Sequence, residues 1–236
     1  MVCKKENPTN VRIWKTRAFI ATLLILSFMS IAFAQDSKID INALVDETQK
    51  MSPAEDEMSL VWWITEEFWQ VNYEQDPNMS ADEAESIVEI LRPYTIIVAV
   101  HGEIGSFGGV TYKPKTTIQN NIQIVGNEGE HYRPLSDDKI DPDTKSLLSM
   151  MKPLFANTLG PMGENMHFFL FPSKDKNGHG IAVAKREGTF SVKLDKREFK
   201  WRLPLGSLLP QKSCPVDGEK FSGAWKFCPW HGVELK

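Results

Sequence analysis

From Ser52 onward the chain alternates between stretches with an apolar residue at every third or fourth position and short runs apolar throughout or at every second position. Three stretches carry the helical spacing. In the first, Met58, Val61, Trp62, Ile64, Phe68 and Trp69 follow Ser52-Pro53-Ala54-Glu55, which has the form of a capping box with proline at the first helical position. In the second, Ala84, Ile87, Val88 and Leu91 follow another box, Ser80-Ala81-Asp82-Glu83, and Pro93 stops the run. The third opens at Asp141-Pro142, carries Leu147, Leu148, Met151, Leu154 and Phe155, and ends at Gly160-Pro161, with Pro153 placed to kink or shorten it.

Strand signals fall between them. Residues 94–100 (YTIIVAV) form a nearly continuous β-branched run, the mark of a strand buried on both faces. Residues 118–125 and 166–171 (MHFFLF) are two further runs. Residues 189–203 read as a hairpin: Phe190, Val192 and Leu194 alternate with polar residues, Asp195-Lys196 falls at the turn, and Phe199, Trp201 and Leu203 alternate on the return. A hairpin alone is marginal, so its apolar face requires a covering layer. The pattern predicts one α+β domain over 53–205, with an antiparallel or mixed sheet and about three amphipathic helices. Residues 35–52 are polar and mixed in charge, which predicts a flexible lead-in with a single helical turn at 41–44.

Upstream, residues 1–34 have the three parts of a secretory signal peptide. Lys4, Lys5, Arg12, Lys15 and Arg17 make a basic leader, residues 18–34 carry no charge, and Ala32-Phe33-Ala34 is a small-x-small cleavage site. A retained anchor is the competing reading, but the uncharged run is short for a spanning helix of about 20 residues and is interrupted by Thr22, Ser27 and Ser30. The expectation is an exported protein, periplasmic or secreted, with no stable membrane span once the leader is removed. The whole chain has 27 basic and 31 acidic residues; a leader taking five and one leaves 22 against 30, a net charge of −8. That balance argues against nucleic acid or an anionic membrane as partner.

Export also changes what the cysteines mean. Cys3 leaves with the leader, and only Cys214 and Cys228 remain. They head the same phrase twice, Cys214-Pro215-Val216-Asp217-Gly218 and Cys228-Pro229-Trp230-His231-Gly232. Two residues between ligands let a tight turn aim both side chains at one ion, and glycine supplies the positive φ that such a turn needs. The stretch 206–236 resembles the paired knuckles of zinc ribbons and rubredoxin-like modules, in degenerate form. Where those modules carry a second cysteine in each knuckle, this chain has Asp217 and His231. The resemblance implies a small metal-stapled module with Cys214, Asp217, Cys228 and His231 as ligands, joined by a short hairpin at 221–227. Three states fit these residues: a closed structural zinc site with all four ligands; an open site on Cys214, Cys228 and His231; or, in an oxidising compartment, a Cys214–Cys228 disulfide worth around 3 kcal/mol.

Other candidates are weaker. Residues 102–109 are glycine-rich after a strand, yet lack the Gly-Lys-Ser/Thr ending of a phosphate loop and read as a turn. Met162, Glu164, Met166 and His167 include soft ligands suited to copper, but their spacing fits a helix-to-strand connection whose methionines fill core gaps. The expected helix around Trp62, Trp63, Phe68 and Trp69 is aromatic enough for a binding platform, though large aromatics on an amphipathic helix are more often core. Glu66 and Glu67 are adjacent and point in different directions, so they make a poor acid/base pair. Taken whole, the mature chain is similar to uncharacterised exported bacterial proteins that share the Trp62-Trp63 helix, the phrase at 160–167 and the ribbon-like tail; that resemblance implies a localisation and an architecture. The expected function is an exported, non-enzymatic binding or envelope-associated protein. The alternatives are a zinc-dependent hydrolase, with Asp217 or Glu219 activating water, and an exported metal carrier.

Overall fold

The computed structural model describes residues 39–54 and 56–236. The signal-peptide reading of 1–34 lies outside them. The elements are, in order, α1 (Ile41–Thr48), β1 (Gln49–Pro53), β2 (Glu57–Ile64), α2 (Glu66–Glu74), α3 (Ala81–Leu91), β3 (Tyr94–Ile104), β4 (Val110–Tyr112), α4 (Lys115–Asn121), β5 (Ile122–Val125), β6 (His131–Tyr132), α5 (Pro142–Leu159), α6 (Pro161–Glu164), β7 (His167–Pro172), β8 (Gly188–Leu194), β9 (Arg197–Leu203), β10 (Lys212–Ser213) and β11 (Lys220–Phe221). Among them, no helix is long and apolar enough to cross a membrane.

The fold is α+β and its sheets are antiparallel. A five-stranded sheet runs β1-β2-β3, with β4 and β7 sharing the far edge of β3; a four-stranded sheet runs β6-β5-β8-β9. β3 is central, and residues 95–102 are buried without interruption. The reason is visible in the alternation of side chains. Val61, Trp63, Ile97, Ala99, Phe169 and Phe171 face the second sheet and meet Ile122, Ile124, Phe190, Val192 and Trp201 there. Leu60, Trp62, Ile64, Ile96, Val98 and Leu170 face the other way, onto Trp69, Val88, Leu91 and Leu148 of the helices. Helices, five-stranded sheet and four-stranded sheet are therefore stacked layers with two cores, and the central strands β2 and β3 are covered on both faces. Trp63 stands edge-on to Phe190 at 4.6 Å between ring centres, and Phe190 stacks on Trp201 at 5.0 Å. These aromatics join the two sheets.

Several expected elements stand where the sequence places them. Ser80 caps α3 with both arms of its box: its Oγ accepts from the Glu83 N–H at 3.3 Å, and Glu83 Oε2 accepts from the Ser80 N–H at 2.9 Å. α5 begins after Asp141, whose carboxylate accepts from the Asp143 N–H, and runs through Pro153 to Leu159. The hairpin of β8 and β9 turns at Asp195-Lys196, with Asp195 at φ 53° and Leu194 paired to Arg197.

Three readings are corrected. The first helix does not start at Ser52: residues 57–64 form β2, and the helix is α2, capped by Thr65 Oγ accepting from the Phe68 N–H. Leu60-Val61-Trp62-Trp63-Ile64 is apolar at every position because both faces of the strand are buried, and such a run carries no period to tell strand from helix. The stretch 118–125 is helix up to Asn121 and strand from Ile122, since Ile118 and Ile122 sit on one face at helical spacing before Ile122 and Ile124 alternate. The lead-in is ordered from Ile41: α1 buries Leu44 and Thr48, and β1 pairs along β2. The glycine-rich stretch after β3 is the turn joining it to β4, as expected.

Candidate metal centre

The tail folds as two copies of one turn. In the first, the Gly218 N–H donates to the Cys214 carbonyl at 2.8 Å and the Cys214 N–H to the Glu219 carbonyl at 2.8 Å. In the second, the Gly232 N–H donates to the Cys228 carbonyl at 2.9 Å and the Cys228 N–H to the Val233 carbonyl at 2.8 Å. Ser213 pairs with Lys220 across the first turn, and Phe227 bridges Glu234 at the equivalent place across the second. Gly218 and Gly232 take φ of 78° and 65°, which a side chain would strain. The expected hairpin over 221–227 is thereby corrected: Phe221 pairs back with Lys212, so each knuckle is closed by its own short ladder.

The repeated turns bring three ligands together. Cys214, Cys228 and His231 offer Sγ, Sγ and a ring nitrogen that all lie within 4.8 Å of one another. His231 Nδ1 is 3.4 Å from Cys214 Sγ and 3.5 Å from Cys228 Sγ. A tetrahedral ion with Zn–S of about 2.3 Å and Zn–N of about 2.0–2.1 Å sets S···N edges of about 3.5–3.6 Å, so the imidazole nitrogen stands from each sulfur at close to the spacing that zinc sets. Asp217, outside that trio, lies with Oδ2 3.6 Å from His231 Nδ1, while its Oδ1 accepts from the Glu219 N–H at 3.0 Å. Both cysteines are buried and are free thiols, so the disulfide reading does not describe this structure. The sulfurs are turned toward one imidazole nitrogen and into the N–H groups of their own turns.

The electrostatics distinguish the two sulfurs. Burial pushes the Cys214 thiol up, and its contacts with the Cys228 and Asp217 side chains reinforce this against the N–H groups of Val216 and Asp217. Cys228 is also raised by burial, yet lies below its ordinary value. The N–H groups of His231 and Trp230, with the His231 and Cys214 side chains, outweigh burial there. The Asp217 carboxyl is held low, first by the Glu219 N–H and then by Cys214 and the His231 charge. Ligation needs thiolates and a neutral imidazole, and N–H groups aimed at sulfur favour the thiolate. The module's own core is small: Cys214, Cys228 and Leu235, with Phe221 and Val233 packed against them.

Elsewhere the sequence candidates part company. Met166 is a core residue at 1 % exposure and Met162 packs against the same cluster. Glu66 is exposed and pairs with Arg92, whereas Glu67 is buried beside Trp69 at one end of the central sheet. The burial of Glu67 leaves no local signal in the sequence, because the segments that surround it are remote in the chain. The chain matches no family model, no curated protein and no solved structure in comparisons with known proteins.

Proposed function

We propose that the protein is an exported, non-enzymatic binding module whose tail is a structural zinc site held by Cys214, Cys228 and His231, with Asp217 as fourth ligand. The observation that supports this reading is the spacing of His231 Nδ1 from the two sulfurs, on turns whose hydrogen bonds repeat one another. A closed set of four protein ligands leaves the ion no position for water, which is the character of a structural site. Bound zinc would cross-link two turns whose apolar cluster is too small to hold them alone.

The test is the intact mass of the purified protein under native and denaturing conditions, with metal analysis. The expected result is one zinc per chain, two free thiols and a mature chain beginning at Gln35. Cys214→Ser and His231→Ala abolish zinc retention, and Asp217→Ala weakens it while leaving the fold of 39–205 intact. A metal-free chain lighter by two hydrogens would be a disulfide and would defeat the zinc reading. Retention of the leader would defeat export by cleavage.

A further inference from the structure

α5 carries Lys145, Ser149 and Lys152 at positions i, i+4 and i+7, on one face of the helix, and all three are exposed. That face borders a cavity of about 240 Å³ beside β7, a strand paired on one side only, with β3. α4 adds Lys115 and Gln119 to the lining, β7 adds His167, and the segment before α5 adds Asp137. At about 30 Å³ per water the space holds roughly eight water volumes, enough for one small ion with its nearest solvent. The core residues behind it, Leu148 and Met166, are sealed and take no part in recognition. The groups that can take part have open surface: the three lysines are exposed and His167 is half buried.

The charges around this space are unbalanced. Lys115, Lys145 and Lys152 make no ion pair among the described residues, and Asp137 is the one carboxylate lining the cavity. Lys145 is tethered there, its Nζ donating to the Asp137 backbone carbonyl at 3.1 Å, with two of its three protons left to give. Lys152 and Lys115 stand near enough to His167 for their charges to act on its ring. Burial first, then those two charges, push its pKa down to about 4, so the ring is neutral where the lysines are charged. The ring makes no hydrogen bond among the described residues, and neither of its nitrogens is sealed from solvent. Its neighbour on β3 is Ala99, which brings no charge. Like charges gathered around one space repel, and an anion between them reverses that cost. The chain is acidic overall, so the cluster is a local exception and not part of a basic face of the kind that binds nucleic acid. Lysines are point charges without the planar fork of arginine, which suits a tetrahedral dianion approached from several sides better than a flat carboxylate.

We propose that this cavity binds a phosphate-sized dianion, inorganic phosphate or the phosphoryl group of a small monoester, held by the ammonium groups of Lys115, Lys145 and Lys152 with His167 as a further donor. Leu135 and Phe168, partly exposed beside it, take the organic part of a monoester. The bound anion offsets the lysine charges that His167 feels, so the ring takes up a proton as the site fills. The proposal deepens the binding-module reading by naming a ligand class and is independent of the zinc tail.

The experiment titrates the purified protein, freed of phosphate by dialysis, with inorganic phosphate, phenyl phosphate, sulfate and acetate by calorimetry at constant ionic strength. The expected result is saturable one-to-one binding of the three dianions, with acetate at least about tenfold weaker. Tighter binding of phenyl phosphate than of inorganic phosphate assigns the site to a monoester, and the reverse assigns it to the free ion. Lys115→Met and Lys152→Met each weaken sulfate binding about tenfold, and Asp137→Asn tightens it. Lys196→Met, the same charge change at the β8–β9 turn, moves it less than about twofold. All four positions are exposed, so folding is retained. Sulfate stays a dianion as pH falls from 6.5 to 4, so its affinity is expected to rise through that window, and His167→Gln removes the part of the rise that the ring supplies. Cys214→Ser binds sulfate as the wild type does; loss of binding there would put the anion on the tail's metal and overturn the proposal. Release of phenol during the titration would keep the site and defeat the non-enzymatic reading instead. Absence of saturable binding, acetate as tight as sulfate, or unchanged affinity in both lysine variants overturns the proposal.

Discussion

His167 opens β7 half buried, and burial, joined by the charges of Lys152 and Lys115, pushes its pKa down from 6.5 to about 4. The sign of the consequence comes from proton counting. Between those two values the unfolded chain holds the proton and the folded chain does not, so stability is full above the unfolded value and drains away as pH falls toward the folded one. Below that, both states are charged and the slope vanishes. His167→Gln removes this contribution. Urea midpoints of the wild type are expected to fall more between pH 6.5 and 4 than those of the variant, and parallel curves would refute the assignment. At this scale the candidate metal-binding residues were legible, because Cys214 and Cys228 are each read with the glycine and proline of their own turn. The burial of Glu67 was not. Nothing local to Glu66-Glu67 says which carboxylate is covered; that is decided by a loop more than a hundred residues further along.

Local chemistry also decides elements, where it is not overruled by burial. The complete box at Ser80 satisfies N–H groups that α3 would otherwise expose, and Ser80→Ala is expected to cost about 1 kcal/mol in chemical denaturation. The cost falls below that if water replaces the hydroxyl at this exposed end, so a companion Glu83→Ala is expected to remove the reciprocal arm. Ser52-Pro53-Ala54-Glu55 spells the same box and caps nothing, because Met51, Ser52 and Pro53 pair with Leu60, Ser59 and Met58 of the neighbouring strand. Pro53 is tolerated there on an edge strand. The two boxes differ in the apolar residues downstream of them. After Ser80, Ala84, Val88 and Leu91 mark one face, but after Ser52 the run from Leu60 to Ile64 is buried on two. The hairpin of β8 and β9 was legible for the converse reason: one of its faces is wet, so its alternation survives in the sequence.

At the scale of the molecule, a layered body and a tail with cores of very different size share one chain. The sandwich and its helices bury two extensive clusters, while the tail buries Cys214, Cys228 and Leu235. The layered arrangement was beyond the sequence, since which sheet each strand joins depends on partners such as β5 with β8. Its independence from the tail is nonetheless a physical expectation. The junction is held from the sandwich side: the Glu47 carboxylate accepts from the N–H groups of Gly206 and Ser207 at 2.8 Å each. Gly223 packs so close to Leu209 and Pro210 that an added Cβ would stand 2.4 Å from the Pro210 carbonyl oxygen. Beyond this junction the knuckles, on the proposed zinc reading, depend on their ligands. Stripping zinc with a chelator is therefore expected to release the amides of Cys214, Gly218, Cys228 and Gly232 to fast hydrogen exchange, while β3 keeps its protection. The same pattern is expected of Cys214→Ser without chelator. If β3 lost protection together with the tail, the ion would be supporting the sandwich as well. If neither changed, the turns would be held by their own hydrogen bonds, and a metal there would not be structural.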